Sequence, residues 1–103
     1  MVKLIVFFKK PPEAELESFE NVFSQVYVPA INRIPGLKKA GVSRAIGAPR
    51  GDAPYHMIHE TYFESYEALV AGLNSAPGRD AGRHLMGFAN DLVTMMYAEA
   101  WDE

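Results

Sequence analysis

Two segments of this 103-residue chain, one near each end, have the pattern of β-strands that are apolar on both sides. Successive side chains of a strand point to opposite faces. In the first segment, residues 2–8, one face carries Val2, Leu4, Val6 and Phe8, and the other carries Ile5 and Phe7. The segment 92–98 is apolar on both faces in the same way. A strand with one solvated face alternates apolar and polar residues, so these two strands should be covered on both faces. Only two stretches of the chain are long enough to be helices that cover the sheet, and they can cover one face. We therefore expect a second copy of the chain to cover the other face, which predicts a homodimer.

Length and charge limit the remaining possibilities. A chain of this length, residues 1–103, forms one domain that gains stability from oligomerisation. Its net charge of -3 without a run of Lys or Arg argues against a nucleic-acid partner. It has no cysteine, which excludes disulfides and thiolate metal sites. Because the N-terminal apolar run is too short for a signal peptide or a membrane span, we expect a cytoplasmic protein with no membrane partner.

Apolar spacing predicts the helices. A stripe at intervals of three and four residues from Leu16 to Ile34 predicts a first helix. Pro29 lies within this stripe and should kink the helix or start a new helical turn. Ser65 is the expected N-cap of a short second helix, which the run Ser75-Ala76-Pro77-Gly78 ends. A further helical piece should follow, with Ala81, Leu85 and Phe88 facing inward.

The strands complete the fold prediction. The lysine-rich segment 37–46 is typical of an edge strand, which would be the second strand of the sheet. The third strand is predicted over residues 55–63, and the last strand over residues 92–98. The order strand, helix, strand, strand, helix pair, strand predicts an α+β, ferredoxin-like βαββαβ fold. Right-handed crossovers place the helices on one face of the antiparallel sheet. Two such sheets packed face to face would form a dimeric α/β barrel.

Four pieces of the sequence carry a family resemblance: VKLIVFFKKP, IPGLKKAGVSRAIG, YHMIHETYFES and FANDLVTMMYAE. Their order and spacing resemble the EthD family of dimeric α/β-barrel proteins over nearly the whole chain. The resemblance implies a homodimer with a pocket for a small hydrophobic compound beside the first helix. It also implies a role in the oxidative degradation or biosynthesis of such compounds, with a possible partner oxygenase. Some relatives act as decarboxylases or dehydratases on aromatic polyketides.

Tyr27 is the point at which the chain departs from that family pattern. The pattern typically has a histidine two residues before the helix proline, and here VYVPAINRIPG has Tyr27 in that position. An imidazole shuttles protons near neutral pH, whereas a phenol normally stays protonated and donates a hydrogen bond. Tyr27 is therefore a candidate to orient a ligand oxygen or to handle protons, and the alternative is a tyrosine of the core.

The third predicted strand supplies two further catalytic candidates, His56 and Glu60, on one strand face with Tyr62. If that face lines a cavity, burial would raise the pKa of Glu60 and make it a proton acceptor. The alternative for Glu60 is an ion pair with Arg44 on the neighbouring strand. His59 points to the opposite face from His56, so the two cannot share a metal, and no metal site is expected.

Three function classes remain open. The chain could be a binding or accessory protein whose pocket is lined by Phe23, Tyr27, Tyr62 and Phe88. It could be a cofactor-independent enzyme, a monooxygenase, decarboxylase or dehydratase, acting on an aromatic or polyketide-like substrate. It could also be a structural dimer without a ligand. Because the sequence has no glycine motif that cradles phosphates, no nucleotide, flavin or nicotinamide cofactor is expected.

Overall fold

The computed structural model describes residues 1–101, which form one four-stranded antiparallel sheet with helices packed on one face. The strands are β1 (Val2–Phe8), β2 (Leu37–Arg44), β3 (Met57–Phe63) and β4 (Val93–Glu99). The helices are α1 (Leu16–Val22), α2 (Val28–Ile31), α3 (Tyr66–Asn74) and α4 (Ala76–Ala89). The strand order across the sheet is β2-β3-β1-β4. This arrangement confirms the predicted ferredoxin-like α+β fold.

Strand register gives the sheet two different faces. Ile5 on β1 lies opposite both Glu60 on β3 and Met96 on β4. These three residues share one face of the sheet, and every second residue along each strand lies on that same face. The covered face, which packs on the helices, includes Leu4, Val6, Phe8, Met57, His59 and Phe63, all buried. The other face, called the open face below, carries Lys3, Ile5, Phe7, Lys39, Gly41, Ser43, Ile58, Glu60, Tyr62, Thr94, Met96 and Ala98. No described helix covers the open face, although its apolar side chains Ile5, Phe7, Ile58 and Met96 lie in neighbouring positions.

The helical run between β1 and β2 changes its hydrogen bonding around Pro29. A 3₁₀ turn, Glu13–Glu15, precedes α1, and a π-helical turn, Phe23–Tyr27, connects α1 to α2. The N–H of Val28 donates to the carbonyl of Phe23, five residues back. Pro29 follows as the second residue of α2, and because the π turn leads directly into α2, its missing N–H removes a hydrogen bond to the preceding turn. The sequence predicts a kink or a new helical turn at Pro29, and the structure has a change of helix type just before it.

The cap at Ser65 is as predicted, whereas the capping role of Ser75 at the start of α4 is not predicted from the sequence. The Ser65 hydroxyl accepts a hydrogen bond from the Ala68 N–H at 3.1 Å and begins α3. Ser75 ends α3 and also begins α4, since its hydroxyl accepts from the Gly78 N–H at 3.1 Å. Ala81 and Leu85 face inward on α4 as expected, and Phe88 is half-buried on the same side. Both caps satisfy backbone donors that a helix start otherwise leaves free.

Strand ends were predicted less well. The second strand ends at Arg44 and not at Ile46, whose side chain is fully exposed in the following loop. The third strand begins at Met57, so His56 lies in the loop before it. β2 is an edge strand as predicted, with a register irregularity between Leu37 and Lys39. None of the helices among residues 1–101 is long and apolar enough to cross a membrane.

Candidate functional site

A cleft of about 570 Å³ opens between the covered face and the helices, on the β4 side of the sheet. We call it the β4 cleft. It begins at the end of the first helical run, where Tyr27, Ile31 and Ile34 form one wall. Strands β1 and β4 and helix α4 form the rest, together with Leu73 of α3. These other lining residues are Leu4, Val6, Leu73, Gly78, Arg79, Ala81, Gly82, Leu85, Met86, Met95, Met96 and Tyr97. Its volume lies in the range of small-molecule sites in proteins.

The lining of the β4 cleft is mostly apolar. Among the described residues that line it, Arg79 is the only one with a charged side chain. Two glycines, Gly78 and Gly82, lie on the α4 wall, and a Cβ added at Gly82 would meet no atom within 4 Å. Because Gly82 has no side chain, the wall that α4 forms leaves open space at this position. The lining includes Met86 and Met95, and also Met96, which borders the cleft from the edge strand β4 although its register position is on the open face. Methionine side chains are flexible and polarisable and adapt to ligands of different shapes.

Tyr27 extends from the π turn to the covered face of the sheet and meets His59 there. The phenol oxygen of Tyr27 and Nδ1 of His59 are 3.2 Å apart, and both residues are almost fully buried. Burial lowers the pKa of His59 to about 4, although the charge of Glu60 acts in the opposite direction. Burial also raises the pKa of Tyr27. Both groups are therefore neutral near pH 7, and the tautomer of His59 decides which of them donates.

Phe23 and Phe88 belong to the core beside the cleft and not to its lining. They pack with Phe8, Phe19 and Tyr27 in one aromatic cluster, in which neighbouring ring centroids are 5.2 to 6.2 Å apart. Edge-to-face and tilted contacts at these distances stabilise a core beyond simple burial. Of the four predicted pocket residues, the β4 cleft therefore contacts Tyr27 alone.

His56 lies on the helix side of the sheet and contacts α1. Its Nε2 is 2.9 Å from Glu20 Oε2, and Arg44 Nη2 donates to Glu20 Oε1 at 3.3 Å. The prediction that His56 and Glu60 share a strand face is wrong. His56 precedes the strand, so the alternation of side chains that holds within β3 does not govern its direction.

Glu60 lies on the open face, where it accepts a hydrogen bond from Lys3. The Lys3 Nζ to Glu60 Oε2 distance is 2.7 Å, and the Tyr62 hydroxyl donates to the same oxygen at 3.2 Å. Lys39 adds a cation 4.5 Å from the Tyr62 ring centroid. The hydrogen bond from Lys3 lowers the pKa of Glu60, against the expectation that burial would raise it. The alternative ion pair with Arg44 is also wrong, because Arg44 lies on the other face and pairs with Glu20.

Within residues 1–101, no group of three or more His, Cys, Asp or Glu side chains is placed so that it could hold a metal ion. His84 lies 3.5 Å from Asp80 one turn earlier on α4, a pair at the surface of the helix. A stable zinc or iron site would need at least one further ligand beside such a pair.

Two residues of this region were missed in the sequence. His59 alternates with Met57, Thr61 and Phe63, a pattern that already assigns it to the buried side of β3. Its pairing with Tyr27 spans 32 residues and depends on tertiary packing. Arg79 carries no local signal, because a single arginine near a helix start is common on protein surfaces.

Similarity to known proteins agrees with this fold. A crystal structure of an EthD (ethyl tert-butyl ether D) family protein from Bacillus halodurans superposes with a TM-score of 0.92 at 30% sequence identity, over 98% of this chain and 99% of that one. A scan of protein-family models finds none that matches the chain.

Two more distant structures share the fold alone. A protein of unknown function from Bacteroides fragilis, described as dimeric and ferredoxin-like, has a TM-score of 0.67 at 19% identity, over 96% of this chain and 95% of that one. The hydroxynitrile lyase of Passiflora edulis has a TM-score of 0.77 at 14% identity, over 99% of this chain and 94% of that one.

Proposed function

This chain belongs to the EthD family, and from that premise we propose that it is a homodimer that binds a small hydrophobic organic compound in the β4 cleft. The observation that carries the proposal is the cleft itself, about 570 Å³ in volume and lined mainly by apolar side chains. A filled interior would instead favour a structural dimer. In this proposal the bound compound is a substrate or product of oxidative degradation or biosynthesis, held for a partner oxygenase.

Ligand binding is testable with a matched pair of glycine variants on α4. The fluorescence of N-phenyl-1-naphthylamine, a neutral probe, rises when it enters an apolar site. Gly82→Leu should narrow the cleft and reduce this rise, because a side chain there extends into open space. Gly87→Leu is the control, since Gly87 is also free of contacts at its Cβ position but does not line the cleft. Both changes favour the helix by roughly 1 kcal/mol, so neither should unfold it.

The proposed site would be refuted by equal probe fluorescence in the two variants. A probe bound elsewhere, for example between two open faces, would give that result.

Dimerisation is proposed to occur through the open face. Its neighbouring apolar side chains include Ile5, Phe7 and Ile58, and such patches are rarely left in contact with water. The dimeric description of the Bacteroides fragilis protein supports a homodimer. Ile58→Glu should give the monomer mass in size-exclusion chromatography with light scattering, because an unpaired charge would be buried in the interface. Val42→Glu, at an exposed position on the other face of the sheet, should keep the dimer mass.

The dimer proposal fails if the unmodified chain has the monomer mass at micromolar concentration. It also fails if Val42→Glu and Ile58→Glu dissociate the assembly to the same extent.

A second candidate function is cofactor-independent catalysis. It is favoured by the Tyr27–His59 pair, a phenol and an imidazole in hydrogen-bond contact beside an apolar cleft. The lyase activity of the Passiflora edulis neighbour supports the idea that this fold carries enzymes. Mass spectrometry should then detect conversion of an aromatic or polyketide-like substrate, and Tyr27→Phe should abolish the conversion while probe binding persists. Conversion that Tyr27→Phe leaves unchanged would remove Tyr27 from the mechanism.

A further inference from the structure

Arg79 gives the β4 cleft a positive charge at one end of an otherwise apolar lining. It is exposed, and it is the fourth residue of α4. Its Nη1 donates to the backbone carbonyl of Asn74 at 2.7 Å, and Asn74 itself does not line the cleft. A guanidinium has five N–H donors, so most of them remain available to a ligand.

No carboxylate in the described part of the chain forms an ion pair with Arg79. The neighbouring arginine on α4, Arg83, is different, because it donates to Asp80 at 3.2 Å and does not line the cleft. The cleft lining likewise includes no aspartate or glutamate among residues 1–101. The charge of Arg79 is therefore not balanced within the cleft.

The first turn of α4 adds to the positive potential at this end. Gly78 and Arg79 both line the cleft, and the dipole of a 14-residue helix is positive at its N-terminus. On the α4 wall, the recess at Gly82 and the apolar Leu85 and Met86 lie C-terminal to this turn. A ligand that contacts all of them meets a cation at one end and hydrocarbon along the rest.

We propose that the ligand of the β4 cleft is an amphipathic anion, a carboxylate with a hydrophobic body. Its carboxylate accepts hydrogen bonds from Arg79, and its body lies against Leu85 and Met86. This inference rests on the proposed function, because it names the class of compound that the same cleft binds. An arginine is suited to this role, since its planar fork matches the two oxygens of a carboxylate.

A pair of nearly isosteric probes separates charge from shape. 2-Naphthoate carries a carboxylate where 2-naphthamide carries a neutral amide, and isothermal titration calorimetry gives the Kd of each. The unmodified protein should bind 2-naphthoate about fivefold more tightly, the effect of one partly exposed charge-assisted hydrogen-bond pair. Arg79→Gln should remove this preference and leave the Kd of 2-naphthamide unchanged. Arg79→Lys should keep part of it.

Arg83→Gln is the matched control, a change of the same kind one turn along α4 at a side chain outside the cleft. It should keep the full preference. Raising the salt concentration should weaken the preference in the unmodified protein, because Arg79 is exposed to screening.

Two results would overturn the inference while leaving the proposed function intact. One is equal affinity for the two probes in the unmodified protein. The other is a preference for 2-naphthoate that survives Arg79→Gln. If neither probe binds, or if Gly82→Leu leaves the binding of 2-naphthamide unchanged, the proposed function fails and the inference fails with it.

Discussion

Acidification should destabilise this protein through one buried side chain, His59. The ordinary pKa of a histidine, near 6.5, applies to the unfolded chain, whereas burial lowers the pKa of His59 in the folded chain to about 4. Between these values the unfolded state binds more protons, so each step down in pH favours unfolding. The contribution of neutral His59 is present in full above about pH 6.5 and is lost as the pH falls towards 4.

The size of this effect follows from the two pKa values. Linkage gives a loss of about 2 kcal/mol in the free energy of unfolding at pH 5 and about 3 kcal/mol at pH 4, relative to pH 7. Proton uptake would also leave a charge beside the Tyr27 hydroxyl inside the aromatic cluster. Acidification also acts on Glu60, whose pKa is lowered by the hydrogen bond from Lys3, so the wild-type curve alone does not isolate His59.

The assay is urea unfolding from pH 7 to pH 4 at one fixed protein concentration, with His59→Gln as the comparison. A glutamine side chain does not titrate, so the difference between the two proteins reports His59 alone. Relative to the variant, the wild type should lose about 3 kcal/mol over this range. A constant difference between the two proteins would show that His59 does not stay neutral in the fold, and the description of the Tyr27–His59 pair would be wrong.

Substitutions at three further residues test the packing around the cleft, each by the midpoint of urea or thermal unfolding. Ser75→Ala removes the cap of α4 and should cost about 1 kcal/mol, and an unchanged midpoint would contradict the capping role. Gly78→Ala should cost more than this, because its Cβ would collide with the Gly72 carbonyl, and a stabilised variant would refute that close approach. Tyr27→Phe should cost about 1 to 3 kcal/mol by leaving His59 without its partner, and Tyr27→Ala about 3 to 5 kcal/mol. Equal losses in the two variants would contradict close packing of the ring.

Local patterns in the sequence were sufficient for the order of the elements. The strand at residues 2–8 matches β1 because alternation along an extended chain is a property of that segment alone. Ser65 begins α3 as predicted, since a cap depends on residues three positions apart. The strand ends at Arg44 and Met57 were missed, because the loop between them has no periodicity that marks where pairing stops.

The candidate site was harder to predict, because it depends on which distant residues meet. The buried stripe and the family pattern identify Tyr27 in the sequence, and Tyr27 is one of the residues that line the cleft. The pairing of Tyr27 with His59 depends on how the π turn packs on β3, and no local pattern in the sequence indicates that contact. Glu60 meets Lys3, 57 residues away, because β1 pairs with β3 in the sheet. The pattern of one strand taken alone does not contain that neighbour.

The three catalytic candidates from the sequence, Tyr27, His56 and Glu60, lie in different places in the structure. Tyr27 remains the candidate that contacts the cleft, while His56 pairs with Glu20 outside it and Glu60 lies on the open face. Tyr62 lies with Glu60 on that open face. A role for His56, Glu60 or Tyr62 in chemistry would require a second site, separate from the β4 cleft.

The most direct test of this account is a crystal structure of the protein grown with 2-naphthoate. One probe molecule should lie in each β4 cleft, with its ring system against Leu85 and Met86 and its carboxylate at Arg79. The open faces of two copies should pack on each other in the same crystal. Probe molecules ordered between the open faces, with both clefts unoccupied, would contradict the central claim that the β4 cleft is the binding site.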